Sequence, residues 1–134
     1  MTKILIVEDS KFLRIATDRA LTRAGYVTIS AADGDEALRL ARERLPDVIL
    51  LDMMLPKMTG PDVLKALKSD PETQAIPVIV VSGLSQRNAE RLQHDGAAGF
   101  LEKSSLEVEK GSEKLLAAIA QLLQQSSSGR ANHA

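Results

Sequence analysis

Asp47-Val48-Ile49-Leu50-Leu51-Asp52 is a run of four apolar residues closed at each end by a carboxylate. Four residues are too few for a buried helix, and the β-branched Val48 and Ile49 favour extended backbone. An uninterrupted apolar run, without polar alternation, fits a strand covered on both faces, the condition of a strand inside a parallel sheet. Asp52 then stands at the carboxyl end of that strand, where open parallel sheets form their ligand crevices.

Two runs of the same kind lie at residues 4–7 and 78–81, and two weaker strands are expected at 27–31 and 99–101. Between them, Leu13, Ala16, Thr17, Ala20, Leu21 and Ala24 recur at helical spacing from about Ser10, and Gly25 follows as a stop. Ala37, Leu38 and Ala41 mark a second helix, and Val63, Leu64 and Leu67 a third that begins after Gly60 and is closed by Pro71. A fourth is expected around residues 86–94, with only Ala89 and Leu92 as its apolar stripe. Leu115, Leu116, Ile119, Leu122 and Leu123 define a fifth. Five strand-helix pairs make an α/β domain: a doubly wound five-stranded parallel sheet with helices on both faces. Residues 1–125 read as that one domain, and the polar stretch 126–134 as a disordered tail.

Composition narrows the function. The 17 basic and 18 acidic residues nearly cancel, so no strong field draws the chain to nucleic acid or an anionic membrane. Tyr26, Phe12 and Phe100 are the only aromatics, too few for a base-stacking surface. With no cysteine, thiolate metal sites and cysteine nucleophiles are excluded. No stretch reaches membrane-spanning length, and Met1-Thr2-Lys3 leads into a run too short for a signal peptide, so a cytoplasmic protein is expected. No direct contact with nucleic acid is expected, and neither histidine has metal-ligand spacing.

The residues after each apolar run are not a random set. Strand one is followed by Glu8-Asp9, strand three by Asp52, strand four by Ser82-Gly83 and strand five by Glu102-Lys103. Clustered carboxylates repel one another unless a cation sits among them, and oxygen donors without histidine or cysteine suit a hard ion such as Mg2+. A carboxylate there can also attack phosphorus, with Lys103 supplying positive charge and Ser82 a hydrogen bond to a phosphoryl oxygen. Taken singly each residue has a plainer reading: Asp52 as a turn residue, Glu8-Asp9-Ser10 as a helix cap, Ser82 as loop, Lys103 as a solvated charge. Their joint placement at four strand ends favours the chemistry.

With these residues assembled, the chain resembles the receiver domain of bacterial two-component response regulators from Lys3 to Gln125. The resemblance rests on Ile4-Leu5-Ile6-Val7-Glu8-Asp9-Ser10, Ala24-Gly25-Tyr26, Asp33-Gly34-Asp35-Glu36-Ala37-Leu38, and the stretch from Asp47 through Asp52-Met53-Met54-Leu55-Pro56-Lys57-Met58-Thr59-Gly60. It implies a (βα)5 flavodoxin-like fold with strand order 2-1-3-4-5. It further implies phosphorylation of Asp52 and binding of Mg2+ or Mn2+ by Glu8, Asp9, Asp52 and the backbone carbonyl of Met54. Lys103 becomes the phosphate-pairing lysine, Ser82 the switch hydroxyl and Phe100 the switch aromatic, against a plainer reading of Phe100 as a core side chain. The expected donor is a sensor histidine kinase or phosphotransfer protein. The expected recipient is a downstream protein partner or output domain, with a homodimer through the face of helix 4, strand 5 and helix 5 as a further possibility. Such a domain is not an enzyme toward other substrates; it catalyses only its own phosphorylation and dephosphorylation.

Two departures bear on these expectations. Ser104 follows Lys103 where the family usually has a cis proline, and a cis bond without proline costs about 2.5–4 kcal/mol, which favours a trans path. Met54 and Leu84, at the family's positions flanking the attacking water, are large and apolar, which predicts slow hydrolysis. A receiver-like scaffold that binds a partner without phosphorylation is the competing reading. A metal-dependent phosphatase lacks its second acid near Asp52, and a dinucleotide site lacks its glycine-rich first turn.

Overall fold

The computed structural model describes residues 1–82, 95–102 and 113–124, with Ser82 and Glu102 described by backbone alone. Strands β1 (Lys3–Val7), β2 (Val27–Ala31), β3 (Val48–Asp52), β4 (Val78–Ser82) and β5 (Gly99–Glu102) form one parallel sheet in the order β2-β1-β3-β4-β5. Helices α1 (Lys11–Arg23), α2 (Gly34–Arg44) and α3 (Gly60–Ser69) alternate with the strands, and residues 113–124 form a C-terminal helix. The flavodoxin-like order 2-1-3-4-5 is therefore the observed one. The helix expected at 86–94, Leu84, the Lys103-Ser104 peptide and the tail at 126–134 lie outside the described residues.

The central strands need apolar residues at every position because each face has its own core. Leu5, Val7, Ile49, Leu51, Val78 and Val80 pack on one side with Ala37, Ala41, Val63, Leu64 and Leu67 of α2 and α3. Ile4, Ile6, Val48, Leu50 and Ile79 pack on the other with Leu21 of α1 and Leu115 and Ile119 of the C-terminal helix. The two-residue period of a strand sends neighbours to opposite cores. Each fully buried aliphatic side chain contributes roughly 1.5–3 kcal/mol.

Polar residues set where the helices begin. Ser10, Asp33 and Thr59 are the N-caps, accepting from the backbone N–H of Leu13, Glu36 and Asp62 at 3.4, 2.9 and 3.3 Å. α1 ends in a Schellman turn: Gly25, at φ +97°, donates to Thr22 and Tyr26 to Leu21. α2 ends without glycine, on Leu45 at φ 44°. Among the described residues no helix is long and apolar enough to cross a membrane.

Candidate functional site

The site grows from the ends of β1 and β3. The Glu8 N–H donates to the Ala31 carbonyl at 3.0 Å, which carries the β1–β2 ladder one residue past the strand. Beyond that bond the chain must turn into α1, and Ser10 uses its own N–H to hold Glu8 Oε2 at 3.3 Å while capping the helix with its hydroxyl. The cap reading and the acid-pair reading of Glu8-Asp9-Ser10 thus coexist in one turn. Glu8 is buried and Asp9 is exposed.

On the neighbouring strand, the Met53 N–H donates to the Val81 carbonyl at 3.0 Å, so pairing with β4 also runs one step past Asp52. The Asp52 Oδ1 accepts from the Met54 N–H at 3.0 Å, an Asx-type turn that aims the carboxylate at the sheet's end. Gly60, the first residue of α3, closes the loop by donating to the Met53 carbonyl at 3.2 Å. A Cβ at Gly60 would fall 2.4 Å from Met53 Cα and 2.8 Å from the Asp52 carbonyl oxygen, so only glycine lets α3 approach this closely.

Glu8, Asp9 and Asp52 each offer an oxygen, and these atoms lie within 4.8 Å of one another. Two full charges at that separation repel by roughly 3–4 kcal/mol at an effective dielectric near 20, less where the exposed Asp9 is screened by water. Oxygen donors only, gathered just past β1 and at the end of β3 with Asp9 exposed, fit a hard divalent cation that keeps part of its water shell. The donor set of this structure and the expected Mg2+ or Mn2+ are chemically matched.

The other expected residues are placed to different degrees. Met54 adjoins Asp52, and its side chain is largely exposed. Ser82 ends β4 opposite Glu102, one residue beyond Val81, which is Asp52's partner in the β3–β4 register. Phe100 is half-buried on β5 opposite Val80, against the core shared with α2 and α3. Lys103 lies outside the described residues.

One contributor went unnoticed in the sequence. The guanidinium of Arg14 reaches back from α1, and one of its terminal nitrogens donates to the carbonyls of Glu8 at 2.9 Å and Asp9 at 3.5 Å. Helical spacing tells which face a residue occupies, not what a long polar tip will reach. The only available signal was its position in the first turn, since helical side chains lean toward the N-terminus and hence toward the acid pair.

Comparison with known proteins agrees with this geometry. The family described as response regulator receiver domain matches residues 4–125. The polar-differentiation response regulator DivK of Brucella ovis is 43% identical over 106 residues, covering 77% of this chain and 85% of DivK. The structure of the chemotaxis protein CheY4 of Vibrio cholerae superposes with a TM-score of 0.81 at 31% identity, covering 90% of this chain and 98% of CheY4. A CheY-like receiver domain protein from Methanospirillum hungatei reaches 0.85 at 25% identity, covering 96% and 98%. Sheet order, strand-end acids and these likenesses converge on one conclusion: the chain belongs to the response regulator receiver domain family.

Proposed function

We propose that Asp52 is the residue on which this receiver domain is phosphorylated, its carboxylate attacking the phosphorus of a phosphohistidine donor protein. An Asp52 O–P bond forms as the P–N bond to the imidazole breaks; the electron pair stays on the ring nitrogen, which takes up a proton. The observation that carries this reading is the convergence of Glu8, Asp9 and Asp52 within 4.8 Å at the ends of β1 and β3, with Asp52 oriented by the Met54 N–H. Glu8, Asp9, Asp52 and the Met54 carbonyl would hold the cation. Bound there, Mg2+ or Mn2+ supplies positive charge against the phosphoryl oxygens.

Lys103 would pair its ammonium with the phosphoryl group, and Ser82 would donate its hydroxyl to a phosphoryl oxygen. Phe100, half-buried two residues before Glu102, is suited to two packings that register whether Ser82 has moved toward the site. The face around β5 would then present the signal to a downstream protein or output domain, or to a second copy of the chain. Chemistry is confined to the domain's own phosphorylation and dephosphorylation, within residues 1–125 and in the cytoplasm alongside its donor. The scaffold alternative is disfavoured because, without a cation, it leaves the repulsion among three carboxylates within 4.8 Å unrelieved.

Intact-mass measurement after incubation with acetyl phosphate or a phosphohistidine protein, with and without Mg2+, tests the reading. One phosphoryl group is expected on the wild type, dependent on Mg2+ and missing from Asp52→Asn. Equal labelling of Asp52→Asn would move the acceptor elsewhere, and no adduct from either donor would leave the scaffold reading.

A further inference from the structure

We infer that Arg14 is a positioning residue for the cation site, holding in register the turn that presents Glu8 and Asp9; this rests on the cation-binding reading above. The last ladder bond of β1 is Glu8 N–H to Ala31, and the first backbone bond of α1 is Arg14 N–H to the Ser10 carbonyl at 2.9 Å. Between them the carbonyls of Glu8 and Asp9 belong to neither strand nor helix. Arg14 bridges that interval, one terminal guanidinium nitrogen donating to both carbonyls, at 2.9 and 3.5 Å. Glu8 is thereby fixed at three points: its N–H by Ala31, its carboxylate by Ser10 and its carbonyl by Arg14. Asp9 is exposed, so packing does not locate its carboxylate, and its position follows from its backbone.

The choice of residue also needs explaining. The first turn of α1 contains no acid, and Lys11 and Arg14 place positive charge where the helix dipole disfavours it. A cation at that position works against the helix and for the turn before it. Arginine suits the task because the terminal nitrogen that makes both contacts carries two N–H bonds in the plane of a rigid guanidinium, one for each carbonyl, whereas an ammonium must hold its place by freezing a flexible stem.

The test is titration of the full chain with Mg2+ by calorimetry, comparing wild type, Arg14→Ala, Arg14→Gln and Arg14→Lys, with amide NMR spectra to confirm folding. Removing an outer group that orients metal ligands typically weakens affinity about 10-fold or more. Arg14→Ala should show that loss, and acetyl phosphate labelling should need correspondingly more Mg2+ while its rate at saturating Mg2+ is unchanged. Arg14→Lys should recover part of the affinity. If Arg14→Ala does not fold, Arg14→Gln decides in the same way. Wild-type Mg2+ affinity in a folded variant, even one of lowered melting temperature, would overturn the role of Arg14 alone. Failure of the wild type to bind Mg2+ would overturn the cation reading and this inference together.

Discussion

The Met54 N–H that fixes Asp52 Oδ1 at 3.0 Å belongs to a residue whose own side chain is 63% exposed, so the residue that orients the carboxylate also holds an apolar side chain out to solvent. The thioether neither donates nor accepts well enough to orient a water. An aspartyl phosphate at Asp52 should therefore persist beyond seconds. Met54→Gln keeps the backbone donor and adds an amide able to align a water, and is expected to shorten the phosphoryl lifetime by up to about tenfold, ~1.4 kcal/mol off the barrier. Decay of the phosphorylated mass after donor removal measures this. A wild-type lifetime of seconds, or no change in the variant, would show that Met54 does not govern access.

Gly60→Ala should damage stability and chemistry together. Its new methyl would stand 2.4 Å from Met53 Cα and 2.8 Å from the Asp52 carbonyl, both backbone atoms that cannot step aside as a side-chain tip would. Either α3 retreats or the end of β3 moves, and overpacking of this kind costs about 1–3 kcal/mol. Urea unfolding should show that loss. Phosphorylation should slow even where the protein is folded, because the displaced atoms carry Asp52.

The same strand ends show what could be read before the structure and what could not. β1, β3 and β4 were legible because burial on both faces leaves no polar interruption, and Asp52 followed from the rule that crevices lie at carboxyl ends. β2 and β5 read weakly because they are the sheet's edges, where β2 is half-buried over most of its length. Strand limits extended to Asp52, Ser82 and Glu102 because ladder bonding is a backbone property, indifferent to the polarity that ended each apolar run. Contacts made by the tips of long side chains stayed hidden. Arg14 reaching Glu8 and Asp9, and Lys68 donating to the carbonyls of Gln74 and Ile76, depend on where the backbone brings distant carbonyls.

Leu45 illustrates a cost that composition also conceals. It caps α2 in the left-handed region at φ 44°, where a side chain is disfavoured by about 1–2 kcal/mol, and it is 54% exposed, so its packing returns little. Glycine there relieves the strain but adds roughly 0.4–1 kcal/mol of unfolded-chain entropy. Leu45→Gly should thus be stabilising by about 0.5 kcal/mol, read as a higher urea midpoint at unchanged slope. A lower midpoint would mean that Leu45 packing outweighs the backbone strain.

Asp70, just past α3, carries an acid-dependent part of stability. Its carboxylate accepts from the Glu72 N–H at 3.0 Å and from Arg42 Nε at 2.7 Å. The Glu72 hydrogen bond first, and the Arg42 guanidinium second, hold its carboxyl below the usual value of 3.8. A carboxyl whose pKa is lower folded than unfolded stabilises fully above the unfolded value, and that gain is lost as pH falls through the folded one. Wild type should therefore melt above Asp70→Asn at neutral pH, with the gap closing as pH drops from 3.8 through the lowered folded value. Arg42 faces solvent while the Asp70 side chain is only 17% exposed, so water screens the pair mainly from the Arg42 side, and the gap should be small and should shrink with added salt. Melting curves of the two proteins across that range decide the matter: a gap independent of pH would assign Asp70 to turn geometry alone, since asparagine keeps an acceptor for Glu72 but not the charge facing Arg42.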